Sequence, residues 1–335
     1  MSFPQLWEPL VRPPEPIPFS ELEIIVAEGD SFNVGLRRPE LYREILTYWN
    51  KSQIEQTVVR ARDLATALLQ QDEAKIARMQ SQIGGVQPMW SLSRAVLEGN
   101  KLYLALNSVD FMDYTGTNVQ ASCDPEFRAR LMQAGTEDYG DPNRYFANPL
   151  AINVAIYGSN SGFNSGAKSG EKSFRQASDL YVVIGKRSDK VNFYPNVYHV
   201  IGGYVKNGAD GKKIDLAGNL CRELQEEIGL KEEQVGKLLF QGIIRQIPSR
   251  VPEVICSLPV YASQEGVERS WREKAPAKFE HRNLHFYPLS KIPTFLEEHS
   301  RSMIAPSGQA SLMYLLAMFG IKDSAVPLES AARVG

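Results

Sequence analysis

Hydrophobic positions recur most regularly between residues 215 and 230. Asp215 precedes this stretch and can accept backbone N–H bonds from a first helical turn. Gly229 followed by Leu230 is typical of a left-handed helix end with a hydrophobic anchor. The pattern therefore predicts one amphipathic helix, whose apolar stripe is formed by Leu216, Leu220, Leu224 and Ile228.

Other hydrophobic runs predict a chain that mixes strands and helices. Strands are expected over residues 21–27, 101–110, 150–157, 179–188, 236–247 and 253–262. Helices are expected over residues 39–49, 52–82, 292–299 and 306–319, with one or two further helical turns over residues 91–98. Two regions lack such a pattern. The Pro-rich residues 1–20 are expected to be extended, either packed over another element or partly loose, and residues 121–148 are expected to form an irregular connector.

At 335 residues the chain is long enough for two domains. Helical patterns dominate the first part, whereas strands and helices are mixed from residue 149 onward. The boundary is expected in the irregular connector, which gives a mainly helical N-terminal domain with short strands over residues 1–147 and a second domain over residues 148–325. The N-terminal helices carry no concentrated polar chemistry, so a structural role or a role in forming a homodimer is expected.

Composition and charge narrow the function classes. A hydrophobic content of 43% and a charged content of 23% are typical of a soluble globular protein. The net charge of −2 gives no electrostatic reason to expect a nucleic-acid or membrane partner. The three cysteines are scattered without metal spacing, which favours reduced thiols in a cytoplasmic protein. The first residues lack a signal-peptide pattern, and no apolar run approaches membrane-spanning length.

The predicted helix carries three glutamates whose spacing indicates metal chemistry. Glu223, Glu226 and Glu227 stand at positions i, i+3 and i+4, so their carboxylates gather along one edge of the apolar stripe. Carboxylate oxygens suit Mg²⁺ or Mn²⁺, which can then bridge to a diphosphate. Arg222 lies one turn before Glu226 and can orient that carboxylate. The alternative is an ordinary surface helix with a Glu-rich face.

The string from Arg222 to Leu230 resembles the second half of the Nudix box, whose pattern is G-x5-E-x7-R-E-U-x-E-E-x-G-U with U a bulky aliphatic residue. Every position specified in that half matches. The first half departs from the pattern, because Ile214 stands where the box has its glutamate. Gly203 lies nineteen residues before Arg222, whereas the box spacing is fourteen, which indicates an insertion of five residues. Asp210 or Asp215 could replace the missing glutamate.

This resemblance implies a Nudix hydrolase domain over residues 149–320, an α/β/α sandwich around a mixed sheet. It implies hydrolysis of a nucleoside diphosphate linked to another group, with Mg²⁺ or Mn²⁺ held by the three helical glutamates. Glu223 could be a ligand or the general base, and Glu280 is a second candidate for the base. Gly202 and Gly203 correspond to the glycine pair that opens the box and would contact the substrate.

Several other segments resemble the Nudix branch that hydrolyses UDP-glucose and related UDP-sugars, giving UMP and a sugar 1-phosphate. The resemblance implies that Tyr114 and Asn118 contact the substrate. Arg187 and Arg245 could bind phosphate oxygens, or could instead form ion pairs at strand ends. The matching segments occur in the same order as in that branch: residues 114–118, 148–150, 187–188, 242–245 and 306–310.

Two alternative functions remain open at this stage. A catalytically weak Nudix fold kept for nucleotide binding would explain Ile214. An RNA-cap hydrolase would also have a helical region before the box, but the chain has no basic face for RNA. A phosphate loop over residues 162–169 is not expected, because it lacks the glycine before its lysine. The four histidines lack ligand spacing and are expected to be structural: His199, His281, His285 and His299.

Overall fold

The computed structural model describes residues 6–30, 34–52, 88–160, 179–191, 194–207, 213–299 and 303–321. Nearly all of the helix predicted over residues 52–82 lies outside these ranges, as does Asp210. Within the described ranges, no helix has the length and apolar character needed to cross a membrane.

Strands and helices alternate along most of the chain. The strands are β1 (Trp7–Val11), β2 (Ile17–Pro18), β3 (Glu23–Glu28), β4 (Met89–Glu98), β5 (Lys101–Val109), β6 (Ala151–Ser159), β7 (Leu180–Arg187), β8 (Tyr198–His199), β9 (Ile201–Tyr204), β10 (Leu239–Gln246), β11 (Pro252–Val260) and β12 (His281–Pro288). The helices are α1 (Val34–Arg37), α2 (39–52), α3 (Phe111–Tyr114, the π-helical Thr115–Val119 and Gln120–Cys123), α4 (Pro125–Tyr139), α5 (Leu216–Ile228), α6 (Gln264–Lys274), α7 (Ile292–His299) and α8 (Pro306–Met318).

Among the described residues, a mixed sheet of nine strands forms the central layer. Its main path runs β1-β10-β11-β6-β7-β12, while β2, β8 and β9 pair with β10, β7 and β6 respectively. β6 and β11 run parallel, and β9 pairs with β6 in antiparallel fashion. This register places Asn153 of β6 beside Gly202 of β9. The glycine pair of the box therefore lies next to the central strand of the sheet.

Both faces of the central strand are buried, which explains its continuous apolar sequence. Ile152, Val154 and Ile156 pack in the same core as the apolar stripe of α5. Ala155 and Tyr157 point to the opposite face, into the core that contains Leu312 and Leu315 of α8. Helices thus cover both faces of a mixed sheet, and the predicted α/β/α sandwich is confirmed.

The N-terminal region is joined to this sandwich through strands. β1 pairs with β10, so residues near the start of the chain extend the central sheet. A second sheet of three strands has the order β3-β5-β4, and its Leu92 and Leu104 belong to the same hydrophobic core as α5. The sequence predicted that residues 1–20 are extended, but it did not predict the pairing of β1 with β10. The division into two domains at residue 148 stays a prediction.

Two local predictions were wrong. Residues 91–98 form part of strand β4 rather than a helical turn, because Leu92 pairs opposite Leu106 in the three-stranded sheet. The connector predicted over residues 121–148 contains the helix α4. Asp124 caps this helix by accepting hydrogen bonds from the backbone N–H groups of Glu126 (3.0 Å) and Phe127 (2.9 Å), and a left-handed glycine ends it.

Candidate active site

A cavity of about 650 Å³ opens beside α5 and the edge of the central sheet. Its wall combines residues from α5, β7, β9 and β11 with residues from α3 and from the segment that joins β10 to β11. Tyr114 reaches the cavity from the N-terminal region. Six other residues predicted from the sequence also line it: Arg187, Gly202, Gly203, Glu223, Glu226 and Glu280.

Helix α5 presents its glutamates as the sequence predicts. Its apolar stripe is at most 3% exposed, which fixes the rotation of the helix against the sheet. The carboxylate of Asp215 accepts a hydrogen bond from the backbone N–H of Gly218 at 2.8 Å. Asp215 therefore caps the helix, which leaves no support for its use in place of the box glutamate. Gly229 ends the helix with φ = 71°.

Glu223 packs directly against strand β9. A Cβ atom added to Gly203 would lie 2.6 Å from the carboxyl carbon of Glu223, so a larger residue at position 203 would displace this carboxylate. Burial, together with the charge of Glu227, raises the pKa of Glu223 to about 7. The positive charge of Lys206 partly offsets this rise.

Glu227 lies behind the cavity wall and is only 1% exposed. Its Oε2 lies 2.6 Å from Nε2 of His281, whereas its Oε1 has no hydrogen-bond partner among the described residues. Burial raises the pKa of Glu227 to about 8, although the charge of Arg187 and the backbone N–H of Gly202 oppose this rise. His281, which was expected to be structural only, therefore holds one of the predicted ligands.

Arg222 is close to two of the glutamates. Its Nη2 lies 3.6 Å from Oε1 of Glu223, and its Nε lies 3.9 Å from Oε1 of Glu226. The same guanidinium donates a 2.6 Å hydrogen bond to Oδ1 of Asn219. Arg222 is not part of the cavity wall, so its position is compatible with the predicted orienting role rather than with direct substrate contact.

Glu280 reaches the cavity from a short 3₁₀ turn, Lys278–Glu280, immediately before β12. The backbone N–H of Ala277 donates a 2.7 Å hydrogen bond to the carbonyl oxygen of Glu226, which ties this turn to α5. Burial and the charge of Glu227 raise the pKa of Glu280 to about 7, against the lowering effect of Arg187. The second candidate for a general base is thus next to the glutamate helix.

Two predicted substrate contacts lie outside the cavity wall. Arg245 is buried in β10 with Nη1 4.0 Å from Oε1 of Glu8, because β10 pairs there with β1. This location favours the ion-pair alternative over binding of phosphate oxygens. Asn118 is fully buried and donates a 2.8 Å hydrogen bond from Nδ2 to the carbonyl oxygen of Ser249. Asn118 therefore positions a segment of the wall and is not itself placed to touch a ligand.

The cavity also contains polar residues that the sequence analysis missed. Asn153 and Glu253 lie on the neighbouring strands β6 and β11, and Tyr194 and Tyr204 add two further hydroxyl groups. The hydroxyl of Tyr204 contacts that of Tyr114. A signal for Glu253 was present, since a carboxylate at the start of an otherwise apolar buried strand requires a reason.

The carboxylates have the chemistry required for a divalent cation. Among the residues that the structure describes, no three ligating side chains already close around one point. However, Glu223, Glu227 and Glu280 all have raised pKa values because burial and mutual repulsion disfavour their charged forms. A cation would relieve this repulsion and would give the unpartnered Oε1 of Glu227 a ligand role. The donor set therefore fits Mg²⁺ or Mn²⁺.

The metal-free protein is expected to lose stability between about pH 6.5 and 8. Glu223 and Glu280 have pKa values near 7 in the folded protein and an ordinary value of 4.5, so the folded state retains protons that the unfolded state has released. The buried histidines do not reverse this trend, since their lowered pKa values leave them neutral above their ordinary value of 6.5. Melting temperatures in EDTA across this range would show the decrease.

Added Mg²⁺ should restore the melting temperature at pH 8 in a concentration-dependent manner, because it binds only the folded arrangement of carboxylates. Glu223→Gln should weaken the pH dependence, whereas the exposed control Glu233→Gln should leave it unchanged. A melting temperature that rises from pH 6.5 to 8 in EDTA would contradict the assignment of these carboxylates.

The sequence is similar to those of known proteins. No family model matches the chain. The human protein named uridine diphosphate glucose pyrophosphatase NUDT22 is 24% identical over 234 residues, which cover 64% of this chain and 68% of that protein. Its Bos taurus counterpart is 23% identical over 241 residues, covering 66% and 73%. The resemblance to the Nudix hydrolases is confirmed.

Solved structures also match the chain, at low scores. A Nudix hydrolase from Alicyclobacillus acidocaldarius matches with 14% identity and a TM-score of 0.34, covering 50% of this chain and 91% of that one. A MutT protein from Methanosarcina mazei Go1 matches with 13% identity and a TM-score of 0.31, covering 49% and 90%. At these scores the likeness carries no argument about the fold or the chemistry of the site. The assignment to a Nudix pyrophosphohydrolase therefore depends on the curated relatives and the box residues.

Proposed function

We propose that the protein hydrolyses the diphosphate of a UDP-sugar to UMP and a sugar 1-phosphate. The observation that carries this proposal is that Tyr114 lines the same cavity as Glu223, Glu226 and Glu280. The segment around Tyr114 lies outside the Nudix box, and its sequence resembles that of the UDP-sugar branch. The relatives named as UDP-glucose pyrophosphatases support the same substrate class.

The carboxylates of Glu223, Glu226 and Glu227 would hold Mg²⁺ or Mn²⁺. From outside the cavity wall, Arg222 lies beside Glu223 and Glu226, and His281 contacts Glu227. When bound, the cation would neutralise charge on the diphosphate and lower the pKa of water beside it. Lys206 and Arg187 also line the cavity and supply positive charge from the protein itself. Both can bind phosphate oxygens of the substrate.

Glu280 is the general base in this proposal. Its pKa of about 7 leaves a substantial fraction of the carboxylate deprotonated at neutral pH while keeping it basic enough to accept a proton from water. The water oxygen then bonds to one phosphorus, and the bridging oxygen leaves with the other phosphate. The water proton stays on Glu280 and can pass to the departing phosphate. Glu223 has a similar pKa and remains the alternative base.

The substrate class is tested by comparing kcat/KM for UDP-glucose and ADP-ribose with Mg²⁺ present. UDP-glucose should be the better substrate, because a cavity that hydrogen-bonds one base leaves its polar groups unpaired with another. Phosphate-containing products should be identified as UMP and glucose 1-phosphate. Equal rates, or a preference for the adenine nucleotide, would reject the UDP-sugar proposal and leave the Nudix resemblance intact. No turnover of any nucleotide would favour a catalytically weak binding protein.

A further inference from the structure

One pair of buried side chains in the cavity has no role in the proposed chemistry. Glu253 and Asn153 are 5% and 2% exposed, and both line the cavity. Oε2 of Glu253 and Nδ2 of Asn153 have no hydrogen-bond partner among the described residues. Buried polar atoms are nearly always paired in native proteins, so unpaired ones that border a cavity indicate a missing ligand.

Strand register places these two side chains together. β6 and β11 are parallel neighbours, with Glu253 opposite Ala151 and Asn153 two residues further along β6. Residues two apart on a strand share a face, so Glu253 and Asn153 project from the same face of the sheet. Burial raises the pKa of the Glu253 carboxyl to about 7, and the nearby polar side chains of Gln246, Ser307 and Asn153 partly offset this rise. An acceptor and a donor are thus adjacent.

Aromatic side chains surround this pair. Tyr114, Tyr194 and Tyr204 all line the cavity, and the pKa of each hydroxyl is raised in part by the charge of Glu253. Pro248 and Val251 add apolar surface to the same wall. A flat, aromatic ligand could pack on these rings while its edge reaches the donor and the acceptor. This combination suits a nucleobase.

We propose that Glu253 and Asn153 recognise the edge of a uracil base, with Oε2 of Glu253 accepting the N3–H hydrogen bond and Nδ2 of Asn153 donating to the carbonyl oxygen at C4. The inference rests on the proposed function, because it assigns the base of the UDP-sugar to this wall. In the same position, cytosine would present a lone pair to the carboxylate and an amino group to the amide. Both contacts would then be mismatched, which provides the physical basis for selection.

The test is the binding of nucleoside monophosphates, measured by calorimetry without turnover. The wild-type protein should bind UMP at least about tenfold more tightly than CMP, and also more tightly than 3-methyluridine 5′-monophosphate, in which a methyl group replaces the N3–H donor. Glu253→Gln should reduce the preference for UMP over CMP to about threefold or less, because a glutamine side chain can donate as well as accept. Glucose 1-phosphate binding should not change.

A control variant, and a measurement on the wild-type protein alone, keep the test specific. Gln241→Leu removes a buried polar group that lies outside the cavity wall, so it should leave the preference for UMP unchanged. Equal affinity of the wild-type protein for UMP and its 3-methyl derivative would overturn the inference and requires no variant. A Glu253→Gln protein that loses glucose 1-phosphate affinity but keeps its preference for UMP would also overturn it, since the pair would then contact the sugar.

The two proposals fail in different ways. Selective UMP binding without hydrolysis of UDP-glucose would refute the proposed function and leave the base contact intact. Hydrolysis of UDP-glucose without selective UMP binding would refute the base contact alone.

Discussion

Glu226→Gln and Glu227→Gln should each lower kcat by roughly a hundredfold or more, the range observed when one electrostatic group is lost from an active site. Both substitutions keep the shape of the side chain and remove its negative charge. Glu226 lines the cavity and is partly exposed, so its replacement should leave the melting temperature nearly unchanged. Glu227 is buried with a raised pKa, so its replacement should stabilise the metal-free protein at pH 8.

Steady-state kinetics and thermal unfolding of the same preparations measure both effects. Glu233→Gln is a matched control, because Glu233 is exposed on a 3₁₀ turn beyond α5 and does not line the cavity. If either of the two α5 variants kept the wild-type kcat, the glutamate replaced in it would not belong to the proposed metal site. Wild-type turnover in excess EDTA would show that the reaction does not need the metal.

Ile214→Glu should destabilise the protein by at least about 3 kcal/mol, because it would place a charged group in an apolar core. In the alignment without an insertion, the same substitution would restore the glutamate of the box and leave activity unchanged or higher. The structure favours the other alignment. Ile214 is 7% exposed and packs in the same core as Leu216 and Leu220 of α5. Its position favours the alignment in which an insertion separates Gly203 from the helix.

Chemical denaturation of Ile214→Glu and Ile214→Val provides the comparison. The valine variant removes one methylene group and should cost only about 0.5–1.5 kcal/mol. If wild type and Ile214→Glu had equal free energies of unfolding, and the variant were more active, residue 214 would instead belong to the active site.

The helix that carries the glutamates could be predicted from the sequence because its determinants are local. The apolar stripe, the cap at Asp215 and the left-handed Gly229 all act within one or two helical turns. The common edge of Glu223 and Glu226 follows from the same periodicity. Helix α4 could also have been predicted, since Asp124 followed by proline and the later Gly140 are local start and stop signals.

Strand β4 could not be predicted from its local sequence. Its sequence fits a short helix, but pairing with β5 along its whole length decides its conformation. Arg245 is a similar case, because the pairing of β10 with β1 brings it to Glu8, far away in the chain. Sheet pairing depends on segments that are distant in sequence, and hydrophobic periodicity does not say which segments pair.

By itself the sequence determined the glutamate helix and the chemistry of its carboxylates, and its resemblance to the Nudix box implied the sandwich. Only the tertiary structure decided which distant side chains meet them. His281 reaches Glu227 across 54 positions of the chain, and Tyr114 enters the cavity from a helix outside the box. Glu253 and Asn153 become neighbours through the parallel pairing of β6 and β11. The physical reason is that a residue pattern shows which face is buried, whereas strand order and register select the partners on that face.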